Sequence, residues 1–210
     1  MRVAPDERGD TIIEVLFAVA VFAMVAVGCL SIMNQGLATA QRSLEVTLVR
    51  QQIQAQAEAL RYMNAAYVAG HQEGGTLPPG PAAEWAKIRT EYGATGGAST
   101  FGQGVGSACP ATIPGSAPFI VNARKATIVN KASLTMTPAA DASLPPYSQV
   151  IYDEESSAVT RAYGIWIEAV PDTSAEIGYV DFHIRACWES VGSERPVTLG
   201  TIVRLYDPSM

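Results

Sequence analysis

The chain has 210 residues, of which 48% are apolar and 16% are charged, and its formal net charge is −6. This composition is sufficient for one ordinary domain with a sizeable core. The lysines and arginines form no cluster that offers a phosphate-binding face, so the sequence indicates no specific nucleic-acid partner. The two histidines, His71 and His183, are far apart and have no cysteine at metal-ligand spacing, so neither a metal site nor a cofactor is expected.

The N-terminal region contains a long apolar run. Between Val15 and Met33 no side chain is charged, and Ser31 is the one polar residue. A run of roughly 18 or more such residues is long enough to cross a bilayer as a helix. A buried core helix and a cleaved secretory signal are the alternatives, although the first is rarely apolar all round and the second has a shorter apolar region. We predict a retained transmembrane helix over residues 10–33.

The residues before the run, MRVAPDERG, contain Arg2 and Arg8. No charged residue follows the run until Arg42. Because positive charge near a membrane helix favours the cytoplasmic side, we expect a cytoplasmic N-terminus and an extracytoplasmic C-terminal region.

One charge, Glu14, lies close to the start of the apolar run in the string GDTIIEVL, residues 9–16. A carboxylate in a membrane segment is costly and indicates a function. The string resembles the cleavage site of type IV prepilins and pseudopilins, in which a membrane peptidase cuts after a glycine and the fifth mature residue is a glutamate. The resemblance implies a leader peptide over residues 1–9, a cut between Gly9 and Asp10, and Glu14 as the fifth mature residue.

The sequence departs from the family pattern at two positions. Asp10 stands where the family usually has phenylalanine, which leaves the family's N-terminal methylation open. Ser31 stands near the position of the family's helix-bending proline, and Gly28 and Gly36 are expected to loosen the helix instead, because glycine is unfavourable in a helix interior by about 1 kcal/mol.

The helical pattern continues beyond the apolar run to residue 69. Apolar residues recur at steps of three to five, and polar residues, including Gln56, lie opposite; the predicted stripe is Leu37, Ala40, Leu44, Leu48, Ile53, Ala57, Leu60, Asn64 and Tyr67. Because no proline interrupts this region, the sequence predicts a single helix about 90 Å long, at about 1.5 Å per residue, whose amphipathic half covers residues 34–69. A coiled coil is the alternative, but the heptad is irregular.

Residues 70–210 are expected to form an extracytoplasmic globular head. Glycine and proline punctuate residues 70–118, with a short helix predicted over residues 81–92. Alternating apolar residues then predict strands over residues 163–169, 179–188 and 197–205, with weaker candidates at 119–122, 127–136 and 149–152. The predicted fold is α+β and like that of type IV pilins, with the long N-terminal helix packed on a C-terminal antiparallel sheet.

The three cysteines differ in their expected surroundings. Cys29 lies in the apolar run and is interpreted as a small packing residue. Cys109 and Cys187 both fall in the extracytoplasmic region, where oxidation is possible. A disulfide between them would fasten the Gly/Pro-rich loop to the polar face of a strand and, on the chain-entropy account, contribute about 4–5 kcal/mol. Two separate thiols are the alternative.

Two polar groups resemble functional sites. Asp181, His183 and Arg185 share one strand face, which we interpret as a solvated face because no nucleophile accompanies them at recognisable spacing. The acidic residues 153–155 lack the ligand spacing of a known calcium loop and are interpreted as a solvated turn. No catalytic site is therefore expected.

The resemblance implies a structural subunit, minor pilin or pseudopilin, of a type IV pilus-like filament. Its partners would be the prepilin peptidase, an inner-membrane assembly platform and other pilin subunits, with membrane lipid around the helix before assembly. The protein would span the membrane once and then enter a cell-surface filament; its role in motility, adhesion, DNA uptake or secretion stays open. The alternatives are a signal-anchored exported binding domain that does not polymerise and a membrane-tethered enzyme.

Overall fold

A computed structural model of the chain describes residues 12–72, 77, 79–93, 108–110, 117–129, 146–172, 178–190, 192–193 and 195–206. The chain divides into two compact units, Met1–Ser43 and Leu44–Met210. We call the first the N-terminal unit and the second the globular unit. The division lies inside the segment 34–69 that the sequence assigns to the amphipathic half of the helix.

The first element is helix α1, Ile12–Gln72, with 61 residues. The single uninterrupted helix predicted from the sequence is therefore confirmed. Its second half is rich in alanine, glutamine, leucine and arginine, which are strong helix formers, and no proline interrupts it. Residues 12–43 of α1 belong to the N-terminal unit, and residues 44–72 belong to the globular unit.

The short helix predicted over residues 81–92 is also present. Helix α2, Pro81–Lys87, has its proline at the first helical position, where the missing backbone N–H leaves no bond unmade. The chain continues as a π-helix, Ile88–Gly93. Trp85 and Ile88 point into the core and are completely buried.

Seven strands follow in the described part of the chain: β1 (Ile120–Asn122), β2 (Thr127–Val129), β3 (Gln149–Tyr152), β4 (Val159–Tyr163), β5 (Ile165–Asp172), β6 (Tyr179–Trp188) and β7 (Val197–Tyr206). Every paired neighbour is antiparallel. The chain is thus an α+β protein in which a long N-terminal helix precedes small antiparallel sheets.

The strands form three sheets instead of the single sheet expected from the sequence. The largest is the meander β5-β6-β7, and β1–β2 and β3–β4 form separate pairs. The strand predicted over residues 163–169 is present as β5, but its predicted start was wrong, because Tyr163 ends β4 and β5 begins at Ile165. Between them Gly164 has a φ of 58°, a left-handed conformation that ends one strand and redirects the chain. The predicted strand over residues 127–136 ends at Val129, and residues 130–136 lie outside the described residues.

The core of the globular unit lies between α1 and the sheets. One stripe of α1 contributes Val49, Ile53, Ala57, Leu60, Met63 and Tyr67. The strands contribute Phe119, Ile120, Ile167, Phe182, Ile184 and Val203 to the same cluster. The prediction that the amphipathic half of the helix covers the apolar face of the sheet is confirmed for residues 44–69.

The position of the buried stripe differs from the prediction in two respects. Leu37, Ala40 and Leu44, assigned to the stripe, are exposed, whereas Gln56, assigned to the polar side, is only 1% exposed. The Gln56 amide donates to the Val121 carbonyl and accepts from the Val121 N–H, both at 2.7 Å. The glutamine is buried because it replaces the strand neighbour that β1 lacks at this position.

Candidate functional site

The most unusual surface of the chain is the apolar segment, which we define as residues 12–33 of α1. All its side chains are exposed except that of Ala26, which is partly buried, and large apolar groups such as Phe17 and Phe22 are more than 70% exposed. Among the described residues, α1 is the one helix long and apolar enough to cross a membrane, and its most apolar window is 0% buried. The buried-core alternative is therefore wrong.

An exposed surface of this kind is not stable in water. Soluble monomers rarely expose a contiguous apolar patch larger than a few hundred Å², and such patches mark contact with a membrane or with another protein. Within the N-terminal unit, the described residues provide no element that covers α1. The segment therefore requires an apolar environment outside its own unit.

The carboxylate of Glu14 lies at the start of this segment. Glu14 is exposed in the first turn of α1, and it is the one charged residue between positions 12 and 41. Negative charge is favourable at a helix N-terminus, where the first N–H groups lack intrahelical partners. Gly9 and Asp10, the residues that flank the implied cleavage site, lie outside the described residues, as does the leader 1–9.

A second notable feature is the disulfide between Cys109 and Cys187, with Sγ atoms 2.07 Å apart and Cα atoms 5.8 Å apart. It joins the Gly/Pro-rich region to β6, as the sequence suggested. Cys187 does not lie on a solvent-facing surface, however, because it is completely buried. The C-terminal half of β6 is buried on both faces, so the expected alternation of exposed and buried residues ends there. Cys29 is a free and exposed cysteine in the apolar segment.

The disulfide is adjacent to a hydrogen-bonded junction between two sheets. The Cys187 N–H donates to the Gly164 carbonyl at 2.7 Å. The Ser148 hydroxyl lies 3.1 Å from the same carbonyl oxygen and 3.0 Å from that of Cys187. A Cβ atom at position 164 would lie 2.1 Å from the Cys187 oxygen, which is far inside van der Waals contact. Only glycine fits this junction.

The polar residues on the same face of β6 as Cys187 have separate partners. Asp181 accepts two hydrogen bonds of 2.8 Å from the guanidinium of Arg204. Arg185, expected to be solvated, is 8% exposed and lies 5.3 Å from the centre of the Trp166 ring. That interpretation was wrong for Arg185, because neighbouring side chains cover the C-terminal half of the strand.

His183 lies between these two residues on β6, opposite Glu168 in the sheet register. Burial lowers the pKa of its imidazole below the ordinary value of 6.5, and Arg185 acts in the same direction. Asp181 and Glu168 oppose the shift but do not reverse it. Among the described residues no group of histidine, cysteine and carboxylate side chains is arranged to hold a metal ion.

The acidic residues 153–155 lie in the turn between β3 and β4. The Asp153 carboxylate accepts hydrogen bonds from the N–H and the hydroxyl of Ser156, both at 2.7 Å. These hydrogen bonds lower the pKa of Asp153. The carboxylate therefore stabilises the turn locally, in agreement with the interpretation as a turn.

Sequence patterning missed a buried carboxylate on α1. Glu45 is 7% exposed and accepts a hydrogen bond of 3.0 Å from the indole Nε1 of Trp188. The available signal was the spacing of Glu45, Val49 and Ile53, at successive steps of four. Because the first residue of this series is a glutamate, the apolar pattern did not indicate that the buried stripe begins at Glu45.

The fold and these sites define an α+β protein that carries an exposed apolar helix with a carboxylate in its first turn. Comparisons with known protein families, with curated proteins and with solved structures found no match to this chain. Its function is therefore inferred from the residues themselves.

Proposed function

We propose that this chain is a structural subunit, of the minor pilin or pseudopilin class, of a type IV pilus-like filament. The observation that supports the proposal most is the composition of α1 along its length. Residues 12–33 expose apolar side chains, with Glu14 in the first turn, whereas residues 44–72 pack on the sheets of the globular unit. Such a segment is stable in a bilayer and equally stable when packed against the same segments of neighbouring subunits.

The proposed sequence of events begins with the precursor in the membrane, its N-terminus in the cytoplasm. The prepilin peptidase removes residues 1–9, and the new chain begins at Asp10. With the inner-membrane assembly platform, the apolar segment then moves from lipid into the filament core, where it contacts other pilin subunits. The globular unit forms part of the filament surface.

Glu14 has a specific role in this proposal. An ionised carboxylate in hydrocarbon costs about 2.5–3.5 kcal/mol at the centre of a membrane helix and less near the interface, so it favours a positive partner. Cleavage would create an amine at Asp10, and the carboxylate of Glu14 on one subunit would offset the amine of its neighbour. The Asp10 carboxylate competes for the same amine and weakens this attraction.

Mass spectrometry of the mature chain tests the proposal, and the expected N-terminal residue is Asp10. The same spectrum reports whether its amine is methylated. Gly9→Leu should leave the precursor uncut, because a bulky side chain obstructs the approach of the backbone to the peptidase, while Ala4→Leu in the same leader should be processed normally. A retained Met1 in the wild type would instead favour a signal-anchored exported binding domain.

Substitution of Glu14 tests assembly separately from cleavage. Glu14→Val should insert in the membrane and be cleaved, yet be depleted from sheared surface filaments. Glu14→Gln should be nearly as depleted if charge is the cause, and only mildly affected if a hydrogen bond suffices. If Glu14→Val were found in sheared filaments in the same amount as the wild type, the proposed pairing of Glu14 with the amine of a neighbouring subunit would be refuted.

A further inference from the structure

The two edges of the β5-β6-β7 sheet differ in how they are covered. At the β5 edge, Ile167 donates to the Phe119 carbonyl at 2.8 Å, and Phe119 donates to the Ile167 carbonyl at 3.1 Å. Two residues further along, Gln56 bonds both polar backbone groups of Val121. At this edge Ile167 is thus paired with Phe119, and Gln56 of α1 satisfies the backbone of Val121 beside it.

Among the residues that the structure describes, no strand pairs with the β7 edge. The Cys187 N–H is bonded on the β5 side, and β6 alternates the direction of its backbone groups, so its even-numbered residues bond to β7. It follows that the alternate residues of β7 direct their N–H and C=O groups away from the sheet; these residues are Thr198, Gly200, Ile202, Arg204 and Tyr206. Asn64 donates to the Tyr206 carbonyl at 3.0 Å, and across the described residues no other hydrogen bond to this edge is present.

Nothing in β7 protects this edge from pairing. Proteins usually protect an exposed edge with a short strand, a proline, a lysine or a bulge. β7 has ten residues, contains neither proline nor lysine, and pairs with β6 in an unbroken register. Its one charged side chain, Arg204, is engaged by Asp181 and lies 3.9 Å from the centre of the Tyr179 ring. That charge is therefore held over the sheet face and does not guard the edge.

A groove of about 600 Å³ lies beside this edge, between α1 and β7 in the globular unit. Its lining includes the apolar side chains of Ile53, Ala57 and Val203 and the charged side chains of Arg50, Glu58 and Arg61. Arg61 forms an ion pair with Glu58. Arg50 has no ion pair within the described part of the chain, so the groove is locally positive although the whole chain has a net charge of −6.

We propose that β7 binds an extended strand of another protein, which adds to the sheet and places a carboxylate against Arg50. An added strand would lie about 4.8 Å from β7, and its side chains would alternate between the groove and the outer face. Those that enter the groove are small or β-branched and apolar, and those on the outer face contact Ile202, which is 49% exposed. A second copy that used its own β7 would bring another positively lined groove to the contact, which is electrostatically unfavourable.

Fluorescence anisotropy of the full-length chain in detergent micelles tests this site. The probe is a synthetic peptide of alternating threonine and valine with aspartate at both ends. A second peptide has lysine in place of aspartate, and a third carries N-methyl groups that prevent strand pairing. The aspartate peptide should bind; the lysine peptide should bind at least about tenfold more weakly, and the methylated peptide should show no saturable binding.

Two variants separate the contribution of the edge from that of the groove. Ile202→Pro removes an outward N–H and leaves the ladder to β6 intact, so it should abolish binding, whereas Ile202→Val should retain it. Arg50→Glu should reverse the preference between the aspartate and lysine peptides, and Arg42→Glu, outside the groove, should not. Circular dichroism checks that each variant is folded.

Several outcomes would overturn the proposal. Equal binding of the methylated peptide excludes strand addition even if Ile202→Pro fails to fold. Unchanged preference in Arg50→Glu excludes the acidic partner. Self-association of the wild-type chain that Ile202→Pro abolishes, and that the peptides do not inhibit, assigns the edge to a second copy. The site belongs to the globular unit, so none of these results depends on cleavage at Gly9 or on filament assembly.

Discussion

The two parts of α1 differ in how far their apolar side chains are exposed, although they belong to one continuous helix. In the apolar segment almost every side chain is exposed, and leucine, valine and phenylalanine occupy all sides of the helix. Between residues 44 and 72 one stripe is buried, and most of the remainder is polar or small, although Leu44 and Tyr62 are exposed. Apolar composition alone therefore does not predict burial in this chain, because burial also requires a partner surface, which among the described residues the sheets of the globular unit supply.

The comparison extends to the polar residues. The buried stripe of the globular unit includes Glu45 and Gln56, each of which is hydrogen-bonded. The apolar segment has Glu14 and Ser31, both of which are exposed. Identical substitutions in the two parts of the chain should consequently have unequal effects on the unfolding of the globular unit, which the buried residues Trp85, Trp166 and Trp188 report by fluorescence.

The largest difference is expected between two glycines. Gly164→Ala forces a left-handed backbone on alanine and a contact of 2.1 Å with the Cys187 oxygen, so it should lower the free energy of unfolding by about 4 kcal/mol or more. Gly36→Ala meets no atom within 4 Å and lies in the N-terminal unit, so it should leave the free energy of unfolding of the globular unit unchanged. Denaturant titration of both variants in detergent measures the difference. Equal effects would show that the junction at Gly164 is not rigid.

Two leucines provide the next comparison. Leu60 is completely buried and Leu30 is 57% exposed. Leu60→Ala removes buried methyl groups and creates a cavity, so the free energy of unfolding should fall by about 3 kcal/mol. Leu30→Ala should change it by less than about 0.5 kcal/mol. The same titration applies, and a large effect of Leu30→Ala would mean that the apolar segment contributes to the stability of the globular unit.

Two glutamines test the buried hydrogen bonds. Gln56→Ala leaves the N–H and C=O of Val121 unsatisfied in the core, which should cost about 2 kcal/mol. Gln35→Ala changes an exposed side chain and should be nearly neutral. Hydrogen exchange of the Val121 amide adds a local measurement, because its protection should fall in Gln56→Ala. Unchanged protection would mean that water replaces the glutamine without penalty.

The smallest effect is expected from His183. Because burial lowers its pKa, the unfolded chain takes up a proton before the folded chain does as the pH falls below 6.5. The contribution of the neutral His183 side chain to the free energy of unfolding is therefore complete above pH 6.5 and is lost as the pH decreases toward the pKa of His183 in the folded chain. His183→Gln should reduce this loss, whereas His71→Gln, at an exposed position, should not. Unfolding temperatures measured at a series of pH values compare the wild type and the two variants. If the unfolding temperature depended on pH in the same way in all three, His183 would not be the cause of the loss.

Much of the fold was predictable because strong local patterns agree with it. The absence of proline and the persistent apolar spacing predict one long helix, and strict alternation predicts the first half of β6. The disulfide partners followed from the compartment expected for Cys109 and Cys187, not from any spacing between them. These signals are local or compositional, so a single sequence contains them.

The remaining features depend on tertiary contacts that local patterns do not encode. Gly164 divides a continuous apolar alternation into β4 and β5, and a strand pattern does not show which glycine has a positive φ. Gln56 and Glu45 look like solvent-facing residues until their partners, Val121 and Trp188, are known. The edge position of β7 could not be predicted either, because the sequence of a strand does not show whether another strand pairs with it.

The disulfide between Cys109 and Cys187 also determines how the globular unit would respond to mechanical force. Tension applied between α1 and β7 would follow the covalent path across the Sγ–Sγ bond and bypass the chain between the two cysteines, which are 78 positions apart. At about 3.3–3.6 Å per extended residue, roughly 260–280 Å of chain cannot be extended while the disulfide is intact. All five strands from β1 to β5 lie inside this bypassed loop, so they carry no load along the backbone. Under a steady pull the globular unit is therefore far less extensible than its number of residues suggests.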